Sequence, residues 1–437
     1  MAEVSNYYGG ESHGRAPGVH IHEIARIPGA ATATGVPLFI GFARIRPEAV
    51  ADDGGDEPKF VRLASWEQFE QTVELDAPVS FLGYAVRGFF ENGGQRCVVV
   101  PLRLNDDQLQ LLKNQPERDR EPLSKEAEEN CRRMLAHALE GLFGKDNNGL
   151  RRVISDIDDT DLVCAPDIMM KFIRAAPETV FELQRQVLEY CKDMGERFAI
   201  LDMLPGETND VEKSIRHWRE LMPTEGALYF PWVLVQSLRD GGAIWVPPCG
   251  HVAGIYARTD QRVGFHKAPA NEIVEGVLDL QSHVSEELNG QLNDIGVNCL
   301  RSFARRGIRV WGARTLSGHR NWRYVNVRRT FLTLVRWIEH NMNDLVFEPN
   351  NPLLWDRVRE RLGGYCYELF EGGALKGRDA AEAFFVKCDE ELNSLEVREA
   401  GQVICEIGLA PLAPAEFIVI RITQSAAGIA TAVPAGA

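Results

Sequence analysis

The sequence predicts two layered parts flanked by arms: an α/β layer domain through the middle, then a C-terminal α+β part in which a sheet carries two helices. Three observations predict it. From about residue 160, strand-like apolar runs alternate with amphipathic helical ones, the order that builds a parallel sheet. Late in the chain two helices are followed by a strand pair, the order of an antiparallel or mixed sheet. Residues 1–18 are Gly-rich and polar, and 424–437 are small and unpatterned, so both ends have little to bury. The expected divisions are an arm over 1–18, a first domain over 19–285, a C-terminal domain over 286–423 and a second arm over 424–437.

Each element follows from its local pattern. In "GVHIHEI" Val19 and Ile21 fall on one face and His20 and His22 on the other, an edge-strand alternation that Ile24 closes. "VPLFIGFARI" (36–45) is more continuously apolar, which suits an interior strand. In 79–102 the period changes midway. Phe81/Leu82, Ala85/Val86 and Phe89/Phe90 repeat at helical spacing, Asn92-Gly93-Gly94 stops the helix, and "CVVV" follows as a buried strand. Residues 105–150 are charged, lack a clean core stripe and read as a peripheral excursion. "DLVCAP" is then a strand. Residues 177–194 make a helix, with Pro177 near its start, Gly195 past its end, and a stripe of Val180, Leu183, Val187, Cys191 and Met194. "RFAILDM", "DVEKSIRHWREL" and "GALYFPWVLV" continue as strand, helix and strand.

The stretch 245–272 is rich in Pro, Gly and turn residues and reads as a long ordered loop. "GIRVWGART" and "LVFEPN" read as strands flanking a helix over 328–342, striped by Phe331, Leu334, Val335, Ile338 and Met342. Asn351 before Pro352 is an N-cap with proline at the first helical position. That helix carries Leu354, Val358, Leu362, Tyr365 and Leu369 and stops at Gly372-Gly373. "AFFVKCD", "GQVICEIGLAPL" and "AEFIVIRIT" close as strands, the last two a hairpin that holds Phe417, Val419 and Arg421.

Bulk composition narrows the class. The 437 residues are 45% apolar and 25% charged, ordinary for a globular protein with a sizeable core. A net charge of −15 argues against general binding to nucleic acid or anionic membrane. Nine scattered cysteines, none in a Cys-x-x-Cys pair, read as reduced buried thiols in the cytoplasm. No apolar run approaches the ~18 residues a membrane span needs.

One short motif suggests chemistry. Asp156-Ile157-Asp158-Asp159-Thr160 matches the Asp-x-Asp-x-Thr box of haloacid-dehalogenase-like phosphatases. There the first Asp takes the phosphoryl group and the second handles its proton, and "RRVI" before the box could be the strand it needs. Such enzymes also need a Ser/Thr, a Lys and a late acidic pair for Mg²⁺, and no convincing late pair appears at a strand end. The plainer reading is an acidic turn or helix start that feeds "DLVCAP". His13, His20 and His22, and likewise Cys249-x-His251 with His266, are fragments of metal sites without the remaining ligands. Neither a dinucleotide glycine motif, a Walker loop nor a nucleophile elbow occurs. The expectation is therefore no catalytic residue, no metal and no cofactor.

A basic island stands out instead. No acidic residue lies between Asp294 and Glu339, whereas Arg301, Arg305, Arg306, Arg309, Arg314, Arg320, Arg323, Arg328, Arg329 and Arg336 all do. These arginines pair within the chain, with the acidic stretch 389–406, or dock to acidic surface on another subunit, or do both; nucleic acid is a weaker third partner given the overall charge.

Taken in order, "PGVHIHEI", "FIGFAR", "FFENGGQRCVVV", "LVCAPD", "RFAILDM", "PPCGHVAGIYARTDQRVGFHKAPAN", "LNDIGVNCLR", "GIRVWGARTL", "WRYVNVRRTFLTLVRWIE", "LVFEPNNPLLWDRV" and "EIGLAPLAPAEFIVIRI" resemble the tail sheath family of contractile phages and contractile injection systems, closer to the extracellular type. The resemblance covers nearly the whole chain, is most specific from about Gly296 to Ile422 and is weakest over 105–150. It implies a structural protein without an active site. Its subunits would polymerise as stacked hexameric rings around an inner tube protein, between baseplate and terminal cap proteins. They would be assembled in the bacterial cytoplasm as part of a phage tail-like particle, without nucleic acid or membrane insertion. It further implies that the arms add strands to neighbouring subunits, through Val19, Ile21 and Ile24 at one end and the Phe417–Arg421 hairpin at the other. Arg301 to Arg329 would then contribute subunit or tube contacts.

Overall fold

The computed structural model describes residues 32–47, 59–75, 80–113, 125–143, 149–206, 211–221, 226–412, 418–425 and 428–432. The arm over 1–18, the expected strand with Val19, Ile21 and Ile24, and Phe417 lie outside the described residues.

The larger unit begins with β1 (Pro37–Phe42), β2 (Arg44–Ile45), β3 (Val61–Leu63), α1 (Trp66–Thr72), β4 (Val73–Glu74), α2 (Leu82–Glu91) and β5 (Cys97–Leu102). Helices α3 (Asp106–Lys113), α4 (Lys125–Phe143) and α5 (Gly149–Ser155) lead to β6 (Leu162–Cys164). Next come α6 (Lys171–Arg174), α7 (Pro177–Met194), β7 (Phe198–Asp202), α8 (Val211–Leu221) and β8 (Gly226–Phe230). β9 (Val233–Gln236), β10 (Ala243–Val246), α9 (Cys249–Arg262), β11 (Asp279–Leu280), α10 (Glu286–Asp294), β12 (Val297–Phe303) and β13 (Gly307–Trp311) complete it. Eight strands form one sheet in the order β13-β12-β8-β7-β6-β1-β5-β3. The six inner strands run parallel, and β13 and β3 close the edges antiparallel. β1 is buried along its whole length, as a parallel strand with both faces covered requires.

The smaller unit holds α11 (Val325–Asn341), α12 (Pro352–Glu371), α13 (Ala380–Ala383), β14 (Phe384–Lys387), α14 (Leu395–Glu399), β15 (Val403–Leu409), β16 (Ile418–Ser425) and β17 (Gly428–Ala432). Its four strands pair antiparallel in sequence order, and α11 and α12 share its core. α11 belongs to both cores: Val325 and Leu332 pack into the larger, Val327, Phe331, Leu334 and Ile338 into the smaller.

Many local signals act as read. Gly195 caps α7 in the left-handed region at φ 72°. The Asn351 side chain accepts the Leu354 N–H at 3.1 Å, with Pro352 at the first turn. β15 and β16 form the expected hairpin, with Val419 opposite Gly408 and Arg421 opposite Glu406.

Several expectations fail, each for a physical reason. The supposed loop over 245–272 contains α9, buried from Cys249 through Ala257. Its glycines serve close helix packing rather than turns: a Cβ at Gly250 would overlap the Ala85 carbonyl of α2, and one at Gly254 the Phe89 carbonyl. The supposed excursion contains α4, whose Cys131, Leu135, Leu139 and Phe143 are buried at four-residue spacing behind a charged outer face. "RRVI" is the end of α5, not a strand. "GALYFPWVLV" is two strands. Pro231 has no N–H to continue the ladder, so β8 stays in the large sheet and β9 joins β10 and β11. β12 and β13, expected in the C-terminal part, lie in the large sheet. "LVFEPN" is a turn after a 3-10 segment, with Phe347 at φ 72° and 90% exposed. The stretch taken as a second arm contributes β17, which pairs back on β16 through backbone groups that need no large side chain.

Candidate functional site

In a doubly wound sheet a ligand sits beyond the carboxyl ends of the strands, where the strand order reverses. Here the order reverses at β1, flanked by β5 and β6. Asp167, just past β6, fills that crevice and is wholly buried. Its Oδ2 accepts the Phe42 N–H at 2.7 Å and the Ser80 hydroxyl at 2.8 Å, and its Oδ1 accepts the Phe81 N–H at 2.6 Å. Phe81 opens α2, so a helix start that could face a phosphate faces an internal carboxylate instead. The next strand end repeats the device: Asp202, ending β7, accepts the Cys249 N–H at the start of α9 at 2.8 Å. Burial pushes Asp167 up to about 6 and Asp202 up to about 7, against the N–H donors that pull each down. Gln184 donates to the Asp202 carbonyl at 2.7 Å and meets His217 Nε2 at 2.6 Å. Burial pushes His217 down to about 3. Asp167 and Asp202, which would interest an enzymologist in an open cleft, are consumed in holding helix starts, and His217 in an internal contact with Gln184.

The Asp-x-Asp-x-Thr box has the wrong surroundings for a phosphoryl acceptor. It follows α5 rather than a strand, and Asp156 and Asp158 are exposed in a turn. Asp159 pairs with Arg62 at 2.9 Å. Among the described residues no group of His, Cys, Asp and Glu is placed to hold a metal ion. Cys249 and His251 are buried in α9. The His251 ring lies against Gly88 of α2, and burial pushes its pKa down to about 4. All nine cysteines are buried and none is in a disulfide.

The residue that matters beside the box is Asp161, which sequence reading passed over. Its carboxylate accepts the Gly35 N–H at 3.1 Å and the Val36 N–H at 2.7 Å, so it fixes the approach to β1. It also pairs with Arg329 of α11 at 2.9 Å. Arg329 in turn bonds both oxygens of Asp260 in α9, at 2.8 and 2.5 Å, and lies over the Tyr256 ring. Burial alone would lower the Arg329 pKa, but Asp260 and Asp161 raise it and hold the guanidinium charged. Arg329 was expected at a subunit contact. It is 2% exposed and instead joins α11 to the larger unit. A usable signal was present: an arginine inside an apolar helix stripe needs internal carboxylates.

The rest of the island divides. Arg328, over Trp322, and Arg336 are buried as well, so Arg328 too is an interior rather than a contact residue of the folded chain. Arg314 stacks on Tyr324, and Arg320 and Arg323 are exposed beside a 3-10 turn. Arg301, Arg305, Arg306 and Arg309 cluster on the β12–β13 hairpin. Arg301 and Arg306 lie 5.3 and 5.6 Å over the Phe303 ring, and Arg309 donates to the Asn271 carbonyl at 2.6 Å. None of these four forms an ion pair among the described residues, with 389–406 or elsewhere.

Comparison with known proteins places this geometry. A family model described as the phage tail sheath protein central domain matches residues 159–316, and one described as the phage tail sheath C-terminal domain matches 319–425. A tail sheath protein of Salmonella phage ViI is 23% identical over 251 residues, 52% of this chain and 39% of the relative. A putative prophage major tail sheath protein of Pseudomonas aeruginosa (strain UCBPP-PA14) is 25% identical over 245 residues, 53% and 60% of the two chains. The chain thus spans less than two thirds of the length of either relative. Solved structures match more fully. A chain of the anti-feeding prophage helical sheath in the contracted state is 29% identical, with TM-score 0.65, covering 92% of this chain and 97% of that one. A chain of an extracellular contractile injection system, the PVC sheath complex in the contracted state, is 28% identical, with TM-score 0.63 and coverage of 92% and 96%.

Proposed function

The chain belongs to the phage tail sheath family, and we propose on that premise that it is the structural subunit of a contractile sheath. The observation that carries the reading is the likeness, across 92% of the chain, to subunits of contracted injection-system sheaths. Copies stack as hexameric rings around an inner tube, with a baseplate at one end and a cap at the other. On triggering they rotate and slide, the sheath shortens, and the tube is driven through a target envelope. The particle is assembled in the bacterial cytoplasm.

The geometry fits a subunit that moves as a rigid body. α11 lies in both cores, and the Arg329 triad ties it to α9 and to the root of β1. Rearrangement then falls on the connections between copies rather than on the folded units. The filled crevice at Asp167 fits an energy source in assembly rather than in a bound nucleotide.

Negative-stain microscopy of the purified protein tests this. Striated tubes or cogwheel-like rings support the sheath, and disc-like or closed shells would favour a baseplate or capsid role. A monodisperse particle that hydrolyses aryl phosphate with Mg²⁺, and loses this on Asp156→Asn, would replace the reading with a phosphatase.

A further inference from the structure

We infer that the β12–β13 hairpin is a docking knob for the acidic surface around α14 on a second copy of this chain. The inference rests on the sheath reading and names the contact.

The hairpin arginines meet only uncharged partners among the described residues: Arg301 donates to the Val284 carbonyl at 3.2 Å and Arg309 to the Asn271 carbonyl at 2.6 Å. Arg301 and Arg309 are direct cross-strand partners, a like-charge pairing that destabilises a ladder. Arg305 sits at the turn with φ 63°, a backbone region that non-glycine side chains enter at a cost, and its side chain is exposed. Arg306 reaches the Asn271 side-chain oxygen at 3.3 Å and the Phe303 ring, both uncharged partners. Two guanidinium groups over the Phe303 ring, Arg301 and Arg306, with Arg305 and Arg309 on the same hairpin and no carboxylate in ion-pair range among the described residues, define a cationic platform with an aromatic ring in it. Planar guanidinium forks suit bidentate carboxylates.

The complement lies on the same chain. Leu395, at the first turn of α14, is 62% exposed. Beside it in sequence Glu396 and Glu399 are exposed and form no ion pair among the described residues, whereas Glu390 and Glu391, also exposed, are paired with Arg398 and Lys387. An exposed leucine beside two unpaired carboxylates matches an aromatic ring under two arginines. The acidic groups at Asp344, Glu348 and Asp356 are poorer candidates, because Arg361, Arg357 and Arg359 already neutralise them. A knob and a distinct socket on each copy make a heterologous contact, the kind that propagates open helical polymers rather than closed dimers.

Charge exchange in the full chain tests the pairing. Arg305→Glu with Arg306→Glu, and separately Glu396→Arg with Glu399→Arg, are made, then all four together. Sedimentation velocity and negative-stain microscopy are read where the unmodified chain polymerises, with thermal melts to confirm folding. Each double variant should melt like the parent and polymerise at least about tenfold less at equal concentration, and the fourfold variant should recover. Arg305→Ala with Arg306→Ala, expected to give a smaller loss in the same direction, serves if a swapped variant fails to fold. Parent-like polymers from any of the arginine or glutamate variants, or a fourfold variant that stays dispersed, would overturn the pairing. Loss of binding to an inner tube with self-assembly intact would overturn it as well, in favour of a tube contact. If the unmodified chain itself never polymerises, the sheath reading falls, and that result is distinct from the others.

Discussion

Asp202 shows how a buried carboxyl can look catalytic and be structural. It is wholly buried, caps α9 through the Cys249 N–H, and burial pushes it up to about 7. The ordinary value is 3.8, so between pH 4 and pH 7 the folded chain keeps a proton that the unfolded chain loses. Stability from this group is therefore complete below pH 4 and lost as pH rises to about 7. Asp202→Asn keeps an oxygen for the Cys249 N–H but cannot ionise. Urea unfolding from pH 4.5 to 7 should fall less steeply for the variant than for the parent, by up to about 1.4 kcal/mol per pH unit. Equal slopes would show that Asp202 is not held protonated. At this scale the sequence disclosed local devices, such as the Asn351 cap and the Gly195 stop, because their partners lie within a few residues. It did not disclose Asp161 with Arg329, which are 168 residues apart and meet only in the fold. The Asp156 box, set aside in the sequence as an acidic turn, lies in a turn after α5, and a five-residue match says nothing of the strand it must follow.

At the scale of elements, glycine meant different things in different helices. In α9 Gly250 and Gly254 let α2 lie nearly backbone to backbone, at Ala85 and Phe89, yet glycine density made the stretch look like a loop. In α10, Gly290 has nothing within 4 Å of an added Cβ. Gly250→Ala should cost about 2–3 kcal/mol, since the overlapping atom is the Ala85 carbonyl and only a shift of the whole helix relieves it. Gly290→Ala should stabilise by about 0.5–1 kcal/mol through helix propensity. Urea unfolding of the two variants measures both. Equal effects would mean that α9 and α2 do not cross so closely. The legible elements were those with a continuous apolar run, such as β1, or a long stripe with caps, such as α7 and α12. The illegible ones bury a narrow face, as α4 does behind its charges, or end at a proline inside an apolar run, as β8 does at Pro231.

For the whole molecule, the sequence conveyed the order of the two layers but not where they join. α11 read as one more striped helix. The structure makes it the joint, with apolar residues in both cores and Arg329 bonded to Asp161 and Asp260 of the larger unit. A subunit that transmits force between neighbours needs such a joint, because a compliant one would absorb the rotation internally. Arg329→Met keeps much of the side-chain length and removes the charge, leaving two carboxylates buried together. Breaking a buried ion network from one side costs about 3–5 kcal/mol. The cost falls on the contact between the units, since the other residues of both cores are untouched. Calorimetry of the unmodified chain should therefore show one cooperative transition. The variant should show the smaller unit separating earlier, as a second transition or a broadened one. In microscopy its polymers should be fewer or irregular even where the folded fraction matches the parent. A variant with one transition at the parent's midpoint, forming normal tubes, would mean that apolar packing of α11 suffices and that the triad is not what makes the subunit rigid.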